Sequence, residues 1–404
     1  MRLIISLIVA VTVISPVIMA DFAAKSAEFA ADLYSKVVEG KDGENVIISP
    51  FSVQTCVALA YAGAGGKTAE EMAKGLRLSS NDRSEVAKSF GQILDSYSNN
   101  PTLKIANKVY IKNGYKLKPE FNEVASKSFH SEAENVDFAQ NKESANKINS
   151  WVEQKTNNRI KDLISPDSLS VDTRLVLVNA IYFKGFWDKK FEVEATMKED
   201  FWISENDAVK VDMMNLNHKF KYGEFAELDA SAVELPYKDS DLSMMIILPN
   251  TKTGLKALES KLATFNIAEM SKKMYKNEVN LKLPRFKIEF SIKLNEPLKK
   301  MGMTSMFQGA DFSNLLESNE PLEVSEVVHK AFIEVNEEGA EAAAATAVGR
   351  MKRSANFSPE PQDFDVDHPF AFSIFCRKQN ISLFIGAIRT FKAYKESGRL
   401  HGEL

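Results

Sequence analysis

Residues 175–182, LVLVNAIY, are apolar on both faces of an extended chain. Side chains alternate across a strand, so a strand without a polar face must be covered on both sides. This segment therefore demands a central sheet with a packed layer against each face. The rest of the pattern supplies such layers. Residues 22–38 place Phe22, Phe29, Leu33 and Val37 on one helical face. Residues 52–62 are small and apolar, as in a buried helix, and the glycines of 63–66 end it. Leu103, Ile105, Val109 and Ile111 line one side of a strand, and residues 144–164 carry Ile148, Trp151, Val152 and Ile160 at helical spacing. Strands are predicted at 232–237, 242–248, 279–283, 286–290, 331–335, 370–376 and 382–388. Helices dominate early and strands late, which specifies an α+β fold rather than alternating βαβ units. No repeat, low-complexity tract or linker divides the chain.

The stretch 337–354, EEGAEAAAATAVGRMKRS, is the most distinctive. It opens on carboxylates and a glycine, continues through small unbranched residues, and ends in Arg350-Met-Lys-Arg353-Ser354. Small residues suit a segment that is exposed at one time and packed between strands at another. The basic cluster that follows is a substrate pattern for trypsin-like or furin-like proteases, so the whole reads as bait joined to a strand-compatible hinge. Arg353 alone satisfies a trypsin-like pocket, because its guanidinium pairs bidentately with a carboxylate. Arg350 and Lys352 add the Arg-x-Lys-Arg pattern of furin-type convertases, whose subsites are acidic; in the alternative reading these two cations are simply solvated.

Residues 1–20 read as a secretory signal peptide: Met1-Arg2, a long apolar run, then Met19-Ala20 before Asp21. The chain ends in His401-Gly-Glu-Leu404, one position away from the HDEL retrieval tail of the endoplasmic reticulum; chance is the competing reading. Together they place the chain in the secretory pathway, secreted or retrieved. The net charge of −4 gives no global basic field for nucleic acid or anionic membrane, though it leaves room for a local basic patch. No apolar stretch after the first is long enough to span a bilayer. Cys56 and Cys376 are expected as two free buried thiols, since a chain of this size needs no disulfide. Asn380-Ile-Ser382 and Asn356-Phe-Ser358 have the form of glycosylation acceptors. The five His show no metal-ligand spacing, and the chain lacks a Gly-x-Ser-x-Gly elbow, a His-Glu-x-x-His pair and a phosphate loop. Neither cofactor nor metal is expected, and the chain is not expected to be an enzyme.

Several strings resemble one family along almost the whole chain. They are Asn45-Val-Ile-Ile-Ser-Pro-Phe-Ser52, the glycines of 63–66 followed by Thr68-Ala-Glu-Glu-Met72, and Ile148-Asn-Ser-Trp-Val152 with Thr156 and Ile160. Asn179-Ala-Ile-Tyr-Phe-Lys-Gly185 with Trp187 and Phe191, Glu234-Leu-Pro-Tyr237, Met301-Gly-Met303, Ala310-Asp-Phe-Ser313 and His368-Pro-Phe370 complete the set. These resemble the serpins. The resemblance implies one domain over residues 21–400, with three β-sheets, about nine helices and an exposed reactive-centre loop at about 337–367.

It also implies roles. Glu337, Gly339, Ala340, Ala342, Ala343, Ala344 and Ala345 match the hinge of inhibitory members; Ala340 departs from the usual Thr or Ser but remains small and uncharged. The family's reactive bond falls at Arg353–Ser354. Ser49, Ser52, Asn179 and His329 match the polar cluster beneath the central strands, and Trp187 the top of the sheet where insertion begins. Without the family, His329 reads as a satisfied core histidine and Trp187 as packing. The implied mechanism is suicide-substrate trapping. A serine protease attacks Arg353, the loop inserts at a gap between the strands around 175–182 and 331–335, and a covalent 1:1 complex remains. The partners are furin-like or trypsin-like serine proteases, met by a monomer. Two alternatives are a non-inhibitory serpin acting as chaperone or carrier, and a proprotein merely processed at Arg353.

Overall fold

The computed structural model describes residues 16–98, 102–262, 266–318, 320–339 and 360–391. The first half is largely helical: α1 (Pro16–Val37), β1 (Val46–Ile48), α2 (Pro50–Gly63), α3 (Gly66–Gly75), α4 (Arg83–Ser98), β2 (Leu103–Lys112), α5 (Pro119–Phe129), β3 (Ala133–Val136), α6 (Asn141–Lys155) and β4 (Leu175–Phe183). Strands then take over: β5 (Met197–Trp202), β6 (Ala208–Phe225), β7 (Ala230–Pro236) and β8 (Leu242–Pro249), followed by α7 (Leu255–Leu262) and α8 (Ile267–Met270). The chain continues through β9 (Tyr275–Pro284), β10 (Phe286–Lys293), α9 (Asn295–Lys300), β11 (Val324–Val335), β12 (Gln362–Asp365), β13 (Phe370–Cys376) and β14 (Ile381–Ile388).

Among the described residues the strands form two sheets. One has five strands in the order β10-β11-β4-β2-β3, and the other runs β1-β14-β13-β8-β7-β6-β9-β12 with β5 also on β6. The expected third sheet is not separate. The 18-residue strand β6 pairs with β5 at its start, with β9 along its middle and with β7 at its end, so its hydrogen bonds fuse what would be two sheets into one. Neither β5 nor β6 stands out in the sequence, because β6 is half-exposed and rich in Lys, Asp and Asn.

All nine residues of β4 are buried, which bears out the reading of this segment as a central strand. Val176, Val178, Ala180 and Tyr182 face a core shared with Ile148 and Val152 of α6. Leu175, Leu177, Ile181 and Phe183 belong to the larger core on the other side. There α2 runs beneath the sheet, buried at every residue except Ala62. A predominantly apolar helix without a charged face is stable only in the interior. Its start is fixed by Ser49 as N-cap and Pro50 in the first turn.

Several expected elements change length, two of them with a clear physical reason. The helix expected over 144–164 stops at Lys155, and Asn157 and Asn158 turn left-handed with φ of 52° and 59°. Ile160, Leu163 and Ile164 remain buried because the following loop doubles back. The Asn149 carboxamide holds that loop through both the N–H and the C=O of Ile164, at 2.9 Å each. Strand β11 begins at Val324, seven residues before the expected start at Ala331, since Ser325, Glu326, His329 and Lys330 hide its strand character.

Cys56 and Cys376 are free and buried. Burial pushes the Cys56 thiol up to about 12, which removes its reactive thiolate form. Neither cysteine should react with Ellman's reagent in the native protein, and both should react on unfolding in guanidinium. Fast labelling of the native chain would contradict this packing.

The hinge and the polar row beneath it

The functional geometry lies where β11 and β4 meet. They pair in parallel from Val324–Leu175 to Phe332–Tyr182, flanked by the antiparallel neighbours β10 and β2. No standing gap separates them, contrary to expectation; backbone hydrogen bonds close it. The pairing ends at Phe332–Tyr182, and the strands part only above that point.

At mid-height a polar row crosses three strands. His329 of β11 is opposite Asn179 of β4, which is opposite Asn107 of β2. The His329 Nδ1 meets the Asn179 Oδ1 at 2.5 Å, and the Asn179 Nδ2 donates to the Ser52 Oγ and the Asn107 Oδ1. The His329 Nε2 accepts from the Ser49 backbone N–H at 3.1 Å, while the Ser49 Oγ accepts from the Ser52 N–H at 3.3 Å. The structure thus brings Ser49, Ser52, Asn179 and His329 together and adds Asn107. Asn107 had a signal in the sequence, as the one polar residue in the series Leu103, Ile105, Asn107, Val109, Ile111. Every partner of His329 fits a neutral ring that donates from Nδ1 and accepts at Nε2. Burial lowers its pKa to about 3.

Above the row, the chain reverses. Asn336 and Gly339 exchange backbone hydrogen bonds of 2.8 and 3.2 Å around Glu337 and Glu338. Gly339 also bridges Phe186, so it sits between the continuations of β11 and β4. Its φ is +129°, and a Cβ there would lie 2.1 Å from the Gly185 carbonyl oxygen, so only glycine fits. Trp187, 2% exposed, holds this turn from the β4 side. Its indole N–H donates to the Asn336 carbonyl at 2.9 Å and its backbone N–H to the Glu338 carbonyl at 2.8 Å. The indole stacks on Tyr237 with centroids 4.6 Å apart.

Glu337 is buried, and Arg285 grips its carboxylate through Nε at 2.9 and 2.8 Å and through Nη2. Thr196 donates a fourth contact at 2.6 Å. Burial opposes ionisation of Glu337, yet the Arg285 and Thr196 hydrogen bonds win and hold its carboxyl below the usual range. Arg285 and Thr196 carried no signal in the sequence, because they meet Glu337 only through the fold.

Ala340, Ala342, Ala343, Ala344, Ala345, Arg350, Lys352, Arg353, Ser354 and Asn356 lie outside the described residues, as do His401–Leu404 and residues 1–15 of the expected signal peptide. Asn380 lies in the β13–β14 turn with φ of 55°, and its Nδ2 donates to Glu269 at 3.2 Å. No group of His, Cys, Asp and Glu that could hold a metal occurs among the described residues, and no helix there is long and apolar enough to cross a membrane.

Comparison with known proteins fits this geometry. The family profile described as serpin, serine protease inhibitor, matches residues 24–390. The chain is 42% identical over 364 residues to antichymotrypsin-2 of Bombyx mori, covering 89% of this chain and 95% of that one. It is 40% identical to serine protease inhibitor 42Dd of Drosophila melanogaster, covering 88% and 94%. A solved structure described as cleaved Serpin 42Da superposes with a TM-score of 0.84 at 47% identity, covering 92% and 99%. The chain belongs to the serpin family.

Two outcomes follow from this site. Unfolded histidine takes up a proton near pH 6.5, whereas His329 resists it down to about 3. Its contribution to stability is therefore complete above about pH 6.5 and falls on acidification through that window, by at most about 1.4 kcal/mol per pH unit. His329→Gln keeps a donor and an acceptor without the titration. The thermal midpoint of the wild type should fall more steeply than that of the variant between about pH 7 and about pH 4; parallel curves would refute the assignment. Separately, Arg285→Gln strands the Glu337 carboxylate. Because the Arg285 side chain is 41% exposed, screening limits the cost to roughly 1–3 kcal/mol, seen as a lower unfolding midpoint in urea.

Proposed function

We propose that this chain inhibits serine endopeptidases by trapping them as acyl-enzymes, with Arg353–Ser354 as the bait bond. The observation that carries this reading is Gly339, already bridged on one side to Asn336 and on the other to Phe186. The chain has reversed by that residue. Residues continuing from it would descend antiparallel to both β11 and β4. One parallel pair would be exchanged for two antiparallel pairs, which are slightly more stable per residue and add a full ladder of hydrogen bonds. As a strand, residues 340–352 would span ~44 Å at ~3.4 Å per residue, which matches the twelve residues of β11. Loop insertion as such belongs to the family; this chain's own contribution is a hinge already seated at the entry point.

In the chemical step, the protease serine adds to the Arg353 carbonyl. The Arg353–Ser354 amide breaks, Ser354 leaves as a protonated amine, and an ester joins Arg353 to the protease. Insertion then draws the ester away before water can hydrolyse it. The chain itself performs no catalysis. The His329–Asn179 hydrogen bond crosses the line of insertion and must break, so the polar row sets part of the barrier.

Arg350 and Lys352 support furin-like convertases as the favoured target class, and the secretory leader with the HGEL tail would bring the chain to the same compartments. The test is incubation with furin and with trypsin, scored for an adduct that survives denaturing electrophoresis. Both enzymes should give a 1:1 adduct, and Arg353→Ala should abolish both. Arg350→Ala should slow association with furin by about ten- to a hundredfold, the worth of a charge-assisted contact, and leave trypsin nearly unchanged. Cleavage without adduct would sink the trapping reading. Equal losses for the two enzymes would leave a general trypsin-like inhibitor.

A further inference from the structure

One motif of the chain plays no part in the trapping mechanism. Asn380-Ile-Ser382 and Asn356-Phe-Ser358 have the acceptor form for N-linked sugar, and Asn100-Pro-Thr102 is barred by its proline. Asn356 lies outside the described residues, so the fold bears on Asn380 alone.

Asn380 is the last residue of the turn between β13 and β14. Its N–H closes the turn by donating to the Cys376 carbonyl at 2.8 Å, and its backbone is left-handed, with φ of 55°. Asn tolerates this conformation better than most residues with a side chain. Two other side chains of the turn fold back onto the body. The Arg377 Nη2 donates to the Ser240 carbonyl at 2.6 Å. The Gln379 carboxamide donates to the Ser96 Oγ at 2.9 Å and accepts from the Tyr97 hydroxyl. The turn is thus fixed to α4 and to the loop before β8 without help from the Asn380 side chain. Ile381 points into the core at 1% exposure, while Asn380 before it and Ser382 after it stay half-buried.

Among the described residues the Asn380 carboxamide nitrogen makes one contact. It donates to the Glu269 Oε1 of α8 at 3.2 Å, and the same oxygen takes the Lys272 Nζ at 2.6 Å. The Glu269 side chain is 46% exposed, so this contact lies at the surface. A carboxamide nitrogen carries two hydrogens. One serves Glu269 and the other is left for substitution. A group placed on this nitrogen therefore breaks neither the turn nor the bond to Glu269. The contrast is Asn179, buried in the polar row, whose nitrogen donates twice and has no hydrogen to give.

We propose that Asn380 carries an N-linked oligosaccharide. The donor is a lipid-linked oligosaccharide diphosphate. The Asn380 Nδ2 attacks C1 of its first sugar, the C1–O bond to the diphosphate breaks, and one Nδ2 proton goes to the departing lipid diphosphate. The product is bulky, hydrophilic and confined to the surface, at the place where α4 and α8 flank the β13–β14 turn. Transfer takes place in the endoplasmic reticulum. The proposal therefore rests on the leader reading of residues 1–20 and is independent of the trapping mechanism.

The experiment expresses the full chain, leader included, in a secreting eukaryotic cell. Protein from the medium is treated with peptide N-glycosidase in heavy-oxygen water, which converts each sugar-bearing Asn to a labelled Asp, and its peptides are mapped by mass. Label at Asn380 is expected in most chains, with a matching loss of mass on a denaturing gel. Ser382→Ala should remove the label while leaving Asn380 itself in place. Asn380→Gly, which suits the left-handed backbone, should do the same, and Asn356→Gln should leave the Asn380 label intact. If either of the first two variants fails to leave the cell, the wild-type map decides alone. Secreted chain with an unlabelled Asn380, or with label at Asn356 only, overturns the proposal. So does a chain that stays inside the cell with residues 1–20 still attached and no sugar; N-terminal sequencing then identifies the leader reading as the step that failed.

Discussion

Direct parallel pairing of β11 with β4 is the constraint on which the rest of the molecule depends. Both strands are interior, each with an antiparallel neighbour on its far side. Parallel pairing between such strands normally requires a covered crossover, and here the connection from β4 to β11 passes through most of the second sheet. The sheet is complete in its hydrogen bonds, yet one more strand at the β11–β4 line would gain antiparallel partners on both sides. The other parallel pairs, β2 with β3 and β9 with β12, are four residues long and lie at sheet edges, and a strand placed between antiparallel neighbours would create one parallel contact.

The polar row fixes how that line is closed. Asn107, Asn179 and His329 occupy one level of three strands, and Ser49 and Ser52 rise to them from the start of α2. A shift of register by one residue would turn these groups to the opposite face and leave them without partners. A buried network is stable only when each member is satisfied, and this one assigns a partner to the Asn179 carboxamide oxygen, to its nitrogen and to both ring nitrogens of His329. The row therefore specifies the closed arrangement of the sheet and resists its opening at the same place.

At the upper end, the segment 184–191 works in two directions. Its inner side carries Phe186 against Gly339 and Trp187 against Asn336 and Glu338. Its outer side meets β7 through Asp188 and Pro236 and through Trp187 and Tyr237. Glu337 is tied from a third direction by Arg285, at the junction of β9 and β10, and by Thr196. The hinge is thus held by groups from widely separated parts of the chain. An agent that moves any of them would act on the residue where the proposed insertion begins.

Much of this was legible in the sequence. The doubly apolar run of β4, the buried α2, the glycine at 339 and the small residues after it follow from alternation, burial and steric size, which are local properties. The Arg-x-Lys-Arg cluster is likewise a statement about residue types alone. Sequence could not show that β4 and β11 touch, that Asn107 completes the row, or that Arg285 and Thr196 meet Glu337, because pairing between residues far apart in the chain depends on how the sheet is threaded. Nor could it show that β6 joins two sheets, since a half-exposed strand leaves no apolar run. The sequence determined which segments can be strand, helix or bait. Tertiary structure decided which strands lie side by side, and so where a new one could enter.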